Sequence, residues 1–184
     1  PPLLFRLMGV FRFAPLIVVA LLAGCGQAPA PPPVPSPTTT PSPTYAPPPS
    51  SGLSVSVGQV EAGLGHRASV LTLTNLDSKP RKVTGYPDLT VLAGDGSPLQ
   101  VQVLHETSYF APDPGPRDLT VQPGGKVLSV LAWSATVTSG DKHTGAAISV
   151  IPIPGEAAQK QPLETDLGTT DTVKLSAWAT EIGT

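Results

Sequence analysis

An all-β sandwich is the fold class this sequence predicts, and three observations predict it. Apolar residues recur at every second position over several short stretches. Turns rich in glycine and proline separate those stretches, from a pool of 18 glycines and 24 prolines. No window of helical length carries a sustained apolar stripe of period 3.6. Several short strands broken in this way argue for two packed sheets, and about 130 residues suffice to bury a core without disulfides.

The folded part is expected over residues 52–184. Leu53, Val55 and Val57 alternate with serines, and Leu71 and Leu73 with Thr72 and Thr74. Leu89 and Val91 lead into Gly94-Asp95-Gly96, after which Leu99, Val101 and Val103 alternate with glutamines. Asp-Gly suits left-handed turn positions, so this pair reads as the clearest hairpin in the chain. Further strands are expected at Arg81 to Tyr86, Asp118 to Val121, Lys126 to Trp133, Ala146 to Ile151 and Thr172 to Trp178, with Pro123-Gly124-Gly125 as a turn. Two segments read as long loops: Glu106 to Arg117, with Tyr109, Phe110 and three prolines, and the polar, acidic stretch Lys160 to Thr172.

Residues 1–24 read as an export signal. Arg6 and Arg12 are the only charges before Cys25, and Phe13 to Gly24 is uncharged and mostly apolar. About 12 residues at about 1.5 Å each reach roughly 18 Å, short of the roughly 30 Å hydrocarbon core, so a signal h-region fits better than a transmembrane helix. A start at Met8, the only methionine, would leave Met-Gly-Val-Phe-Arg as a compact n-region. Leu22-Ala23-Gly24-Cys25 then resembles the bacterial lipobox, in which small residues precede a cysteine that receives diacylglycerol. Cys25 is the only cysteine, so no internal disulfide exists, and lipidation accounts for a thiol that would otherwise be an exposed liability.

Residues 25–51 read as the lipidated cysteine and a disordered linker. From Ala28 to Ser51 the chain is almost entirely Pro, Ser, Thr and Ala. Proline fixes φ and removes amide donors, so neither helix nor sheet is expected there. A polyproline-like spacer of roughly 24 residues at about 3.1 Å each reaches up to roughly 75 Å. Thr38, Thr39 and Thr40 are candidate sites for O-linked sugars.

Five segments, taken in order, carry a resemblance: Leu71-Thr72-Leu73-Thr74-Asn75; Gly85-Tyr86-Pro87 followed by Leu89 and Val91; Gly94-Asp95-Gly96; Val121-Gln122-Pro123-Gly124-Gly125; and Leu131-Ala132-Trp133. Together they resemble an uncharacterised domain of actinobacterial secreted lipoproteins, similar in architecture to immunoglobulin-like sandwiches. The resemblance spans roughly Leu53 to Trp178. It implies an immunoglobulin-like fold and an envelope location, and it carries no established activity. Members often have a cysteine shortly before the Gly-Tyr-Pro, where this chain has Lys82 or Val83, so a disulfide common in that family is missing here. Physically, Gly85 should permit a bend, Pro87 should limit pairing, and Tyr86 should anchor the core edge with its hydroxyl satisfied. Trp133 and Trp178 are expected in the core.

The residues offer little catalytic chemistry. His66, His105 and His143 lie far apart, none in a short metal-ligand spacing. Soft copper sites favour Cys and Met ligands, which the domain lacks. There is no Gly-x-Ser-x-Gly nucleophile elbow. Gly125-Lys126 is not a phosphate loop, since Thr120 stands in place of the first glycine and Val127 in place of the Ser/Thr. Asp113, Asp118, Glu164 and Asp166 are scattered. The net charge of -2 and the 5% aromatic content disfavour nucleic acid. We therefore expect no enzyme, no cofactor and no metal. The expected role is a lipid-anchored envelope module contacting protein or wall glycan, with Tyr109 and Phe110 as the contact loop. The alternatives are an envelope enzyme assembled from distant loops, favoured if His105 or His143 meets an acidic residue in a pocket, and a small-ligand carrier with a cavity between its sheets.

Overall fold

The computed structural model describes residues 45–47, 49 and 52–183. The expected signal peptide, the expected lipobox Leu22-Ala23-Gly24, Cys25 and the expected spacer as far as residue 44 lie outside those residues. Among the described residues every regular element is a strand: β1 (Leu53–Val57), β2 (Glu61–Gly63), β3 (His66–Asn75), β4 (Arg81–Thr84), β5 (Asp88–Leu92), β6 (Gln102–Leu104), β7 (Asp118–Val121), β8 (Lys126–Ser134), β9 (His143–Ile151), β10 (Gln159–Gly168) and β11 (Thr172–Leu175).

The alternation expected of β1 and β3 sets the layers. In β3, Leu71 and Leu73 point to the core, and in the facing β8 so do Val127, Leu131 and Trp133, with Leu73 opposite Val127 in register. The six-stranded sheet they belong to runs β1-β3-β8-β11-β6, with β2 also on β3. All its pairings are antiparallel except β11 with β6. A three-stranded sheet, β10-β9-β5, and a two-stranded one, β4-β7, supply the rest of the same core. Val83, Val91, Val121, Ile148, Val150 and Leu167 come from this side. The space between the sheets is thus filled by one continuous apolar cluster, and the fold is an immunoglobulin-like β-sandwich.

Both tryptophans are buried, as expected. Gly85 takes φ +74°, a left-handed bend that glycine adopts at low cost. Beside it Tyr86 is half-buried and its hydroxyl donates to Asp113 at 2.6 Å. The centre of β8 is buried on both faces: Val130 and Ala132 on its outer side, with Ala68 of the neighbouring β3, pack with Phe110 and Ala111.

Three expectations need correction. The turn at Gly94-Asp95-Gly96 forms, with Ala93 N–H donating to Ser97 O at 2.8 Å, but its second arm does not stay on β5. Pairing runs through the Leu92–Pro98 bridge to Leu99, whose N–H donates to Val91 O at 2.9 Å, and Gln102–Leu104 then crosses to the other sheet beside β11. Most of the segment Lys160 to Thr172 is strand β10 rather than a loop. Its alternation was masked because only Leu163 and Leu167 are large and apolar, and two register shifts break the period. The short strand β2 was not anticipated at all.

Candidate functional site

Residues 105–117 form a true loop, between β6 and β7. Its shape comes from local polar contacts. Ser108 N–H donates to Ala111 O at 2.9 Å, and Ala111 N–H returns a bond to Ser108 Oγ at 3.1 Å. Asp113 ties the loop to the sandwich by accepting from the Tyr86 hydroxyl at 2.6 Å, Ala177 N–H at 2.9 Å and Gly115 N–H at 3.2 Å. His105 stacks on the Tyr86 ring with centroids 3.8 Å apart.

These contacts set the charges. Burial by itself would raise the Asp113 carboxyl, but the Ala177 amide, the Tyr86 hydroxyl and the Gly115 amide outweigh it, and the carboxyl titrates below its usual value. The Tyr86 phenol is pushed up to about 12, first by its bond to Asp113 and then by burial and that negative charge. A depressed carboxylate contributes stability above its unfolded pKa and loses it as pH falls through the folded value. Melting temperature should therefore fall with acid, and Asp113→Asn should flatten part of that fall. An unchanged acid slope in thermal melts would show that the loop clasp carries no linkage. Tyr86 acts oppositely: its contribution holds at neutral pH and fades only as strong alkali deprotonates the phenol.

The two expected contact residues have different fates. Phe110 is half-buried against Ala68, Val130 and Ala132 and fastens the loop to the sheet. Tyr109 stays 58% exposed. One face of its ring stacks on His66, with centroids 4.9 Å apart and planes 10° from parallel, and Phe110 meets it edge-on. The ring is thus fixed on one face and one edge and open on the other face. Beside it runs a groove of about 240 Å³ whose lining includes His66, Ser108, Phe110, Ala132 and Lys174.

A neighbouring residue missed in the sequence completes this surface. Leu64 and Gly65 form the two-residue turn between β2 and β3, with φ +48° and +81°. Both central residues of such a mirror-type turn need positive φ, which Asn and Gly tolerate and leucine does not. Leu64 is nonetheless there, and 87% exposed. The turn sits between Tyr109, whose ring approaches Gly63, and the segment Ala135–Val137, which donates Ala135 N–H to Gly65 O at 2.9 Å. Val137 is 49% exposed. Leu64, Tyr109 and Val137 are thus exposed apolar residues on three segments that meet at this turn. The signal was present in Gly63-Leu64-Gly65, a turn with an apolar residue where a polar one is expected.

Of the other histidines, His143 Nδ1 lies 2.6 Å from Asp171 Oδ1, at the surface. Among the described residues no hydroxyl hydrogen-bonds its second ring nitrogen, and no three His, Cys, Asp or Glu side chains converge as a metal shell.

A family profile described as a domain of unknown function (DUF4232) matches residues 49–180, which takes in every strand and Trp178. The chain belongs to the DUF4232 family. No curated protein and no solved structure matches it. The DUF4232 domain thus includes the Tyr109 loop and the Leu64 turn as parts of one sandwich.

Proposed function

We propose that the chain is a cell-envelope lipoprotein held by lipid on Cys25, on the extracytoplasmic side, and that its DUF4232 domain works by contact with protein or wall glycan. The observation that carries the contact reading is Leu64, a strained and exposed apolar residue in the turn against which the Tyr109 loop and the Ala135–Val137 segment lie. A non-glycine residue in left-handed backbone costs about 1–2 kcal/mol. Strain and exposure together in one side chain are what selection for a contact would retain.

The test separates folding from contact. Leu64→Asn should leave stability unchanged or raise it by up to about 1 kcal/mol, because Asn tolerates the backbone. Tyr109→Ala should cost little, since the ring is mostly in solvent. Each should weaken retention on isolated envelope particles by tenfold or more, as expected of a contact worth about 1.4 kcal/mol or more. Treating the particles with protease or with glycan hydrolase tells protein from glycan. If both variants bind envelope particles like the wild type, the contact reading fails.

Anchoring is tested apart from contact. Two or three acyl chains at about 0.8 kcal/mol per buried methylene hold a protein firmly on a bilayer. Cys25→Ala should remove the lipid mass and release the chain from the membrane fraction or leave it unprocessed. A wild type found in the medium with a free thiol would overturn this part.

A second reading, an envelope enzyme, draws on the His143–Asp171 pair, where a carboxylate orients an imidazole as it does for a general base. It requires a nucleophile or substrate group at the other ring nitrogen. Loss of an envelope-directed hydrolysis in His143→Ala, with retention on particles unchanged, would favour it over contact alone.

A further inference from the structure

The two sheets meet along a seam where β1, an edge of the six-stranded sheet, faces β10, an edge of the three-stranded one. The seam is closed by side chains. Val55 N–H donates to Gln159 Oε1 at 2.9 Å, Gln159 Nε2 donates to Leu53 O at 2.7 Å, and Gln161 Nε2 donates to Val55 O at 2.9 Å. Two glutamines thus engage three outward main-chain groups of β1, Leu53 O and both the N–H and the O of Val55. A facing strand would use the same groups.

The two edges are protected differently. On β10, Lys160 is exposed and Pro162 lacks an amide, both common devices against edge pairing. β1 reads Leu-Ser-Val-Ser-Val, with neither charge nor proline, and carries two β-branched valines. Nothing in β1 itself discourages a second strand. Beside the seam a groove of about 520 Å³ opens between residues 45–47 and 49 on one side and Glu156–Gln161 on the other, so an added strand has room to approach.

We propose that Gln159 and Gln161 are gatekeepers that keep β1 from pairing with β1 of a second copy of this chain. The match would be antiparallel and two-fold symmetric, centred on Val55, which then exchanges both its bonds with its counterpart. The glutamines hold the same bonds within one chain, so the monomer persists while they are in place. The proposal is independent of the Leu64 and Tyr109 surface.

The full chain in density-matched detergent is the material for the test. Sedimentation equilibrium reads its mass, and hydrogen exchange reads the β1 amides. Wild type should be monomeric with β1 protected at every concentration. With Gln159→Ala and Gln161→Ala together, β1 should exchange at least tenfold faster when dilute, then regain protection as the mass doubles on concentration. Adding Ser56→Lys, which puts like charges across the new pairing, should restore the monomer. If the double change melts the fold, Gln161→Ala alone, which removes one bond, should show the same concentration dependence more weakly. The proposal is overturned if β1 opens yet the chain stays monomeric at the highest concentration, if β1 remains protected without the glutamines, or if Ser56→Lys leaves the dimer intact.

Discussion

Replacing Trp178 by alanine should destabilise the domain by about 3–5 kcal/mol, the range for deleting a buried indole. Trp178 is 1% exposed, and its indole N–H donates to Pro152 O at 2.9 Å, on the far side of the core from the strand that leads into it. Its main-chain N–H bonds Gly85 O at 2.9 Å, and the next residue, Ala179, exchanges two bonds with Leu128 on β8. One residue therefore clasps the segment after β11 to both layers. The change removes apolar volume, strands the Pro152 carbonyl and frees the segment together. Trp178→Phe keeps most of the volume and should lose only about 1–3 kcal/mol, the penalty of the stranded acceptor and a small void. Urea unfolding of the two variants checks the ordering. Equal losses would mean that the hydrogen bond contributes nothing.

Asn75→Ala should cost on the order of 3 kcal/mol, although no charge is involved. The side chain is 0% exposed at the end of β3. Its amide donates to Lys79 O and Val121 O, each at 2.9 Å, and its carbonyl accepts Asp77 N–H at 3.0 Å. Its main chain is bonded to Gly124 and Gly125 as well. The residue thus joins the β3–β4 turn, β7 and the Pro123-Gly124-Gly125 turn. Alanine leaves two carbonyls and one amide without their partner, each worth roughly 1–3 kcal/mol if buried and less if water enters. Asn75→Asp preserves the acceptor and loses both donations, so it should be at least as damaging. A loss well under 1 kcal/mol for alanine in chemical denaturation would show that water replaces the amide.

The core was legible where its cause is local. Alternation in β1, β3 and β5 depends on one buried face, and that pattern is written directly in the residues. The second arm after Gly94-Asp95-Gly96 was misplaced because the choice between staying with β5 and crossing to β11 is made by a distant strand. β10 escaped notice because its inward positions include Thr165, and two bulges shift its phase. At the candidate surface, two adjacent aromatics drew attention to Tyr109 and Phe110. Their division of labour rests on Ala132 and His66, far away in sequence. Leu64 was missed for another reason: periodicity flags buried residues, whereas the sign of this one was an apolar residue between two turn glycines.

The placement of β11 bears on how the domain is made. β11 lies between β8 and β6 within the six-stranded sheet, yet it is the last strand in the chain. Residues 172–175 therefore follow both of the strands they join, and β6 and β8 cannot belong to one sheet by this path without them. The Trp178 clasp forms later still. Long-range pairing of this kind closes slowly and all at once. Closing this part of the six-stranded sheet, and with it the Trp178 clasp, waits on residues 172–178.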